Sequence, residues 1–148
     1  MKKSLISLAI LATVSAANAV EFGVGYTRDI TNEINGYGVS VTQSWKKWSL
    51  GAQADRFEVV GGNQDQFTVV AGHEIAKVHK LVIDAHAGAT YIQSEVGKDG
   101  LVPVAGLSVS YPIIKNMSIA ADVRRAIRIE DLKQYEGTSL GVGIKYKF

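Results

Sequence analysis

Cysteine is absent from this 148-residue chain. That excludes a disulfide framework, a thiol nucleophile and any cysteine-ligated metal. Only two prolines occur, too few for a proline-rich linker. Beyond residue 19 no apolar run is long enough for a membrane-spanning helix. Excess charge of one sign is missing too. The formal net charge is +2, and without Lys2 and Lys3 the basic and acidic residues balance at 14 each. A balanced chain has no electrostatic footprint for nucleic acid.

Motifs for chemistry are equally thin. His73-Glu74-Ile75-Ala76-Lys77 opens like a zinc-protease helix but carries Lys77 where the second histidine belongs, and it falls in an alternating, strand-like segment. Gly23-x-Gly25 and Gly141-x-Gly143 lack the third glycine and following helix of a nucleotide fingerprint. No metal or cofactor is expected.

Two patterns are present instead. The first is at the N-terminus. Met1-Lys2-Lys3 is basic, Leu5 to Val14 is mostly apolar, and Ala17-Asn18-Ala19 fits a small-x-small cleavage site. Residues 1–19 thus read as a cleaved secretory signal peptide, leaving residues 20–148 as one domain.

The second pattern is period-two alternation, which places successive side chains on opposite faces of a strand. It recurs eight times. The apolar rows run Val20-Phe22-Val24-Tyr26, Tyr37-Val39-Val41-Trp45 with Gln43 as a polar exception, Trp48-Leu50-Ala52-Ala54, and Phe67-Val69-Ala71-Ile75. They continue as Leu81-Ile83-Ala85-Ala87-Ala89-Tyr91, Leu101-Pro103-Ala105-Leu107-Val109-Tyr111, Met117-Ile119-Ala121-Val123-Ile127, and Leu140-Val142-Ile144-Tyr146-Phe148. Pro103 cannot donate to a ladder and is expected where pairing ends or at a bulge. Short connections (Lys46-Lys47, Ala76 to Lys80, Pro112 to Asn116) alternate with longer ones (Asp29 to Asn35, Glu58 to Gln64, Ser94 to Gly100, Glu130 to Glu136). Eight segments of about ten residues with alternating loop lengths predict an all-β, eight-stranded antiparallel up-and-down transmembrane barrel. Both termini are then expected on the periplasmic side.

A soluble ligand-binding barrel alternates as well, with its apolar row inside. The aromatics decide between the two. Trp45, Trp48, Tyr111, Tyr146 and Phe148 fall near one rim, and Tyr26, Tyr37, Phe67 and Tyr91 near the other, with Val, Ile, Leu and Ala between them. That is two aromatic girdles around an aliphatic belt facing lipid. The opposite row carries Glu21, Asp55, Glu74, Asp84, His86, Asp122, Arg124, Arg128, Lys145 and Lys147 among Gly, Ser and Thr. In so narrow a barrel these side chains fill the lumen. Enclosed charges must pair, so a filled polar lumen with an ion-pair network and no open channel is expected, with glycines leaving room for the long side chains.

Asp84 and His86 share one inward face, and Ser108 or Ser110 on the next segment could complete a serine–histidine–carboxylate set. A polar plug explains the same residues without chemistry, and no catalytic residue is assigned. Lys46, Lys47, Lys77, Lys80 and Lys115 collect in the short turns, where inner-leaflet phosphates would lie. Asp29, Glu33, Asp65, Glu95, Asp99, Glu130, Asp131 and Glu136 make the longer loops acidic. Arg56 and Arg125 stand on apolar rows near the outer rim, as candidate contacts for lipopolysaccharide phosphate.

The chain's last residues resemble the C-terminal assembly signal of outer-membrane barrels: a final Phe148, an aromatic Tyr146 two residues earlier, and Gly143. With the eight segments and the girdles, the whole of residues 20–148 resembles the small OmpA/OmpX-type outer-membrane barrels, including the Ail and opacity-protein relatives. The resemblance implies a monomer in a Gram-negative outer membrane, inserted by the barrel-assembly machinery and contacting lipid and lipopolysaccharide. It implies a non-enzymatic structural, envelope or surface-interaction role, with the external partner unspecified. A C-terminal peptidoglycan-binding domain is not expected. The alternatives are a lipid A deacylase or acyltransferase and a narrow porin. Against the deacylase, the positions two after His73, His79 and His86 are Ile75, Leu81 and Gly88, so its His-x-Ser pair does not occur.

Overall fold

The computed structural model describes residues 20–127 and 135–148. The segment read as a leader, residue 128, and residues 130–134 of the last expected loop lie outside them. The described chain forms eight strands: β1 Val20–Asp29, β2 Ile34–Trp45, β3 Trp48–Val59, β4 Gly62–Val78, β5 Leu81–Ser94, β6 Gly100–Ile114, β7 Met117–Ala126 and β8 Gly137–Lys147. Each pairs antiparallel with its sequence neighbours, and β8 returns to β1, closing the barrel. Closure leaves no strand edge unpaired.

The register fixes the barrel's shape. Following paired residues from Val20 through Gln43, Leu50, Ala71, Ala87, Ala105 and Arg125 leads to Thr138. The Thr138 carbonyl accepts a 2.9 Å bond from Ile30 N, ten residues along β1 from the start. At about 3.3 Å per residue and about 4.8 Å between strands, that stagger tilts the strands by roughly 40°.

One end of the barrel carries residues Val20 and Phe148 and three two-residue turns, at 46–47, 79–80 and 115–116. It is called here the terminal end; the opposite end is the loop end. The turn residues Lys46 and His79 have positive φ, at 56° and 55°. At the loop end the expected long connection Glu58 to Gln64 is instead a tight hairpin. β3 and β4 stay paired up to Val59 and Gly62, and Gly61 supplies the turn with φ 91°. Pairing wins because Glu58 and Asn63 extend the ladder rather than leave it. Pro103 lies where the β6–β7 ladder stops, its carbonyl accepting the last bond from Ile127 N at 2.8 Å. Bulges follow at Ile75, between Glu74 and Ala76, and between Pro112 and Ile114.

Alternation sends the apolar rows outward: Phe22, Val24, Val39, Leu50, Val69, Leu107, Ile119, Val142 and Ile144 are all exposed. The inward row is small wherever backbones crowd. Gly25 and Gly143 face each other across the β1–β8 seam. A β-carbon on Gly143 would stand 2.6 Å from the Val24 carbonyl oxygen, which is backbone and cannot swing away. At Gly51 the nearest atom would be Val70 Cγ2 at 3.4 Å, an ordinary contact. Gly143→Ala is therefore expected to destabilise the folded barrel by about 1–3 kcal/mol, and Gly51→Ala to change it by under about 0.5 kcal/mol. Urea titration in phospholipid vesicles, read by heat-modifiable gel migration, checks the contrast.

Candidate functional site

The lumen is layered along the barrel axis. At its middle, Asp55 of β3 and Arg124 of β7 reach across from opposite walls, 4% and 8% exposed. Arg124 Nη2 lies 3.8 Å from Asp55 Oδ2, and Arg124 Nε lies 3.9 Å from Asp122 Oδ2. Gln53 Nε2 donates to both Asp55 oxygens at 2.9 and 2.8 Å, and Thr27 Oγ1 approaches at 3.5 Å. Glycines opposite make the room: β-carbons at Gly38 and Gly141 would collide with the Asp55 and Asp122 carboxylates.

Toward the terminal end the lumen opens into a cavity of about 370 Å³ whose wall includes Glu21, Glu74, Asp84, His86, Lys145 and Lys147. These six were expected to join one ion-pair network with the central group. Among the described residues the lumenal ion pairs link only Asp55, Arg124 and Asp122. Glu21 and Lys147 are ladder neighbours, and Glu74 faces Asp84, yet none of these forms an ion pair. The cavity accounts for this: side chains with access to water need no partner. Arg128 lies outside the described residues. Asp84 is opposite Ser108, while His86 is opposite Gly106 and Ser110 opposite Val82. No hydrogen bond links Asp84, His86 and Ser108, so the candidate catalytic set is not assembled.

Toward the loop end the interior turns apolar. Ile92, Val102, Val104 and Tyr135 form a buried cluster, with Val70 and Ala126 against it, and Phe57 is 1% exposed, its ring beside Gly36. Thr68 and Thr90 close a 2.8 Å hydrogen bond nearby. Sequence reading missed this layer because it took the inward row as polar throughout. The signal was there: Leu101 to Ala105 is apolar on both rows. The Tyr135 hydroxyl donates to the Lys98 carbonyl, tying the layer to the 95–99 loop.

On the outer surface, Tyr26, Tyr37, Trp45, Trp48, Tyr91, Tyr111, Tyr146 and Phe148 are exposed, with Phe67 half-buried. Phe148 makes edge-to-face contacts with Phe22 at 5.4 Å and Tyr146 at 4.8 Å. Trp48 makes one with His73 at 4.5 Å. Phe22 and His73 thus join the terminal girdle, to which the sequence reading had not assigned them. The rim arginines already hold carboxylates. Arg56 forms a two-pronged pair with Asp65 at 2.7 and 2.8 Å, and Arg125 Nη2 lies 3.6 Å from Glu136.

The central ion pair yields a test. Asp55→Leu leaves Arg124 with Asp122, at 3.9 Å and more exposed, as its ion-pair partner among the described residues and is expected to cost about 3 kcal/mol. The double variant Asp55→Leu/Arg124→Met removes both charges and is expected to recover most of that loss. Urea midpoints in vesicles check both.

Neither a protein-family model nor a curated protein matches the sequence. Solved structures do match. A de novo designed transmembrane β-barrel superposes with TM-score 0.67 at 13% identity, over 90% of this chain and 98% of the other. Ail of Yersinia pestis superposes with TM-score 0.62 at 13% identity, over 90% and 100%; Ail has also been solved with the heparin analogue sucrose octasulfate. Neisserial surface protein A superposes with TM-score 0.55 at 13% identity, over 88% and 96%. At such identity the likeness is one of fold: this chain is a closed, eight-stranded antiparallel barrel of the transmembrane type.

Proposed function

We propose that this protein is a non-enzymatic integral outer-membrane barrel whose loop end faces the cell exterior and serves in envelope structure or surface interaction. One observation carries the reading. The outward belt is apolar apart from Gln43 and the rim residues His73, Arg56 and Arg125, and is ringed by aromatics at both ends, while Asp55, Asp122 and Arg124 are turned into the lumen. In water that arrangement would expose the oily face and bury the charged one; in a bilayer each faces its own solvent. At roughly 40° tilt, ten strand residues climb about 25 Å, the height of the lipid-facing band of such barrels.

Charge supports the orientation. Lys46, Lys47, Lys80 and Lys115 sit in the terminal-end turns, suited to phospholipid phosphates on the periplasmic face. Glu33, Glu95 and Asp99 are exposed around the loop end. Ail, of the same fold, takes a heparin analogue, which supports a surface-interaction role. Insertion by the barrel-assembly machinery and a monomeric state belong to this reading. Of the two rim arginines, Arg125 suits a lipopolysaccharide phosphate better, since it is 69% exposed and held only at 3.6 Å.

Outer-membrane fractionation with heat-modifiable migration tests location and folding together. Spin labels at Val142 and Lys145 test which face meets lipid. Oxygen in the bilayer is expected to relax the label at 142 and spare that at 145; the reverse would overturn the reading. Arg125→Ala is expected to weaken lipopolysaccharide retention several-fold and Arg56→Ala to leave it nearly unchanged, measured by co-purification from mixed micelles.

A further inference from the structure

Above the apolar layer, at the loop end, lies a second cavity of about 320 Å³. Ile92 and Tyr135 give it an apolar floor shared with the buried cluster below. Its polar wall includes Gln64 and Gln66, which stand two apart on the inward row of β4. Gln64 is only 7% exposed, and neither glutamine side chain forms a hydrogen bond to another described residue. No side-chain nitrogen or oxygen among the described residues is both sealed from solvent and unpaired. The Gln64 amide therefore opens onto the cavity, where a ligand can take the place of water on its donors and acceptor.

Asp29 and Tyr135, also in the wall, are occupied. Asp29 accepts bonds from Thr31 N, Asn32 N and Asn32 Nδ2 at 2.9, 3.0 and 2.9 Å, and the Tyr135 hydroxyl is committed to Lys98. Among the described residues no lysine, arginine or histidine lines the cavity. Among these residues a phosphate, sulfate or carboxylate ligand would meet the Asp29 carboxylate with no cation to balance it. Two free amides supply both donors and acceptors, the complement of hydroxyl groups that do both. An aliphatic and aromatic floor suits the C–H face of a sugar ring, and the volume is at the lower end of the roughly 300–1,000 Å³ of small-molecule sites.

We infer that the loop-end cavity is a binding site for one neutral sugar residue, gripped by the side-chain amides of Gln64 and Gln66 over the Ile92–Tyr135 floor. The sugar comes either from free saccharide or from the sugar chain of lipopolysaccharide in the same membrane. Access from the exterior rests on the orientation proposed above; binding in micelles does not, so the two can fail separately.

The test uses the ¹⁵N-labelled barrel in detergent micelles, titrated with methyl α-glucopyranoside and followed at the glutamine side-chain amides. Saturable shifts are expected at Gln64 and Gln66, with a dissociation constant on the order of millimolar. Gln53, bound to Asp55, should not move. Gluconate should bind at least tenfold more weakly. Gln64→Met should weaken the glycoside at least fivefold while leaving the Gln53 signal in place as evidence of folding. Micelles doped with full-length lipopolysaccharide, or with its phosphorylated lipid anchor alone, separate the two sources. Shifts with the full-length form only assign the membrane's own sugars; shifts with the free glycoside only assign soluble saccharide. The inference is overturned by shifts with no sugar (a water-filled cavity), equal shifts in Gln64→Met, or gluconate binding as tightly as the glycoside.

Discussion

Closure of the backbone ladder between β1 and β8 is the constraint on which everything else here depends. The pairs from Glu21 with Lys147 to Asp29 with Ser139 turn an open sheet into a cylinder. Once closed, the strands satisfy their peptide groups among themselves and leave no edge. Only then can one face be given wholly to apolar side chains. Alternation does the rest: each outward Val, Leu or Tyr obliges its neighbour to face inward, into a space too narrow for solvent alone to fill.

The interior answers that restriction in layers. Toward the terminal end, charged groups line a cavity and need not pair. At the middle, where Asp55 and Arg124 are nearly sealed, charge must meet charge, and Gln53 and Thr27 take up remaining acceptor capacity of the Asp55 carboxylate. Nearer the loop end a layer of apolar side chains takes over. Glycine and bulk alternate across the ladder at each level: Gly36 beside Phe57, Gly38 beside Asp55, Gly106 beside His86, Gly141 beside Asp122. Each glycine's missing side chain is the volume its neighbour occupies. The apolar layer lies between the two cavities.

Much of this was readable from residue order. The rows Leu81 to Tyr91 and Leu140 to Phe148 announced strands with one oily face, and the aromatic clustering gave the side that meets lipid. Pro103 marked the end of a ladder. The hairpin at Val60-Gly61 was misjudged, because polar residues from Glu58 to Gln64 resemble a loop when only side-chain character is weighed; the backbone pairing that extends β3 and β4 is invisible at that level. The apolar layer was overlooked for a related reason. Period-two analysis asks which row is the oily one, and Val102, Val104 and Ile92 are oily on the other row.

By itself, the order of residues determined the strand count, the alternation and which row turns outward, because these depend on neighbours two positions apart. Which inward groups meet was decided only by the tertiary structure. Asp55 and Arg124 lie on β3 and β7, four strands apart and never paired in the ladder. They come within 3.8 Å because a cylinder with a ten-residue stagger brings those two levels face to face across its axis. Gln64 came to line a cavity for the same reason: its level on β4 coincides with the height at which Ile92 and Tyr135 close the lumen beneath it.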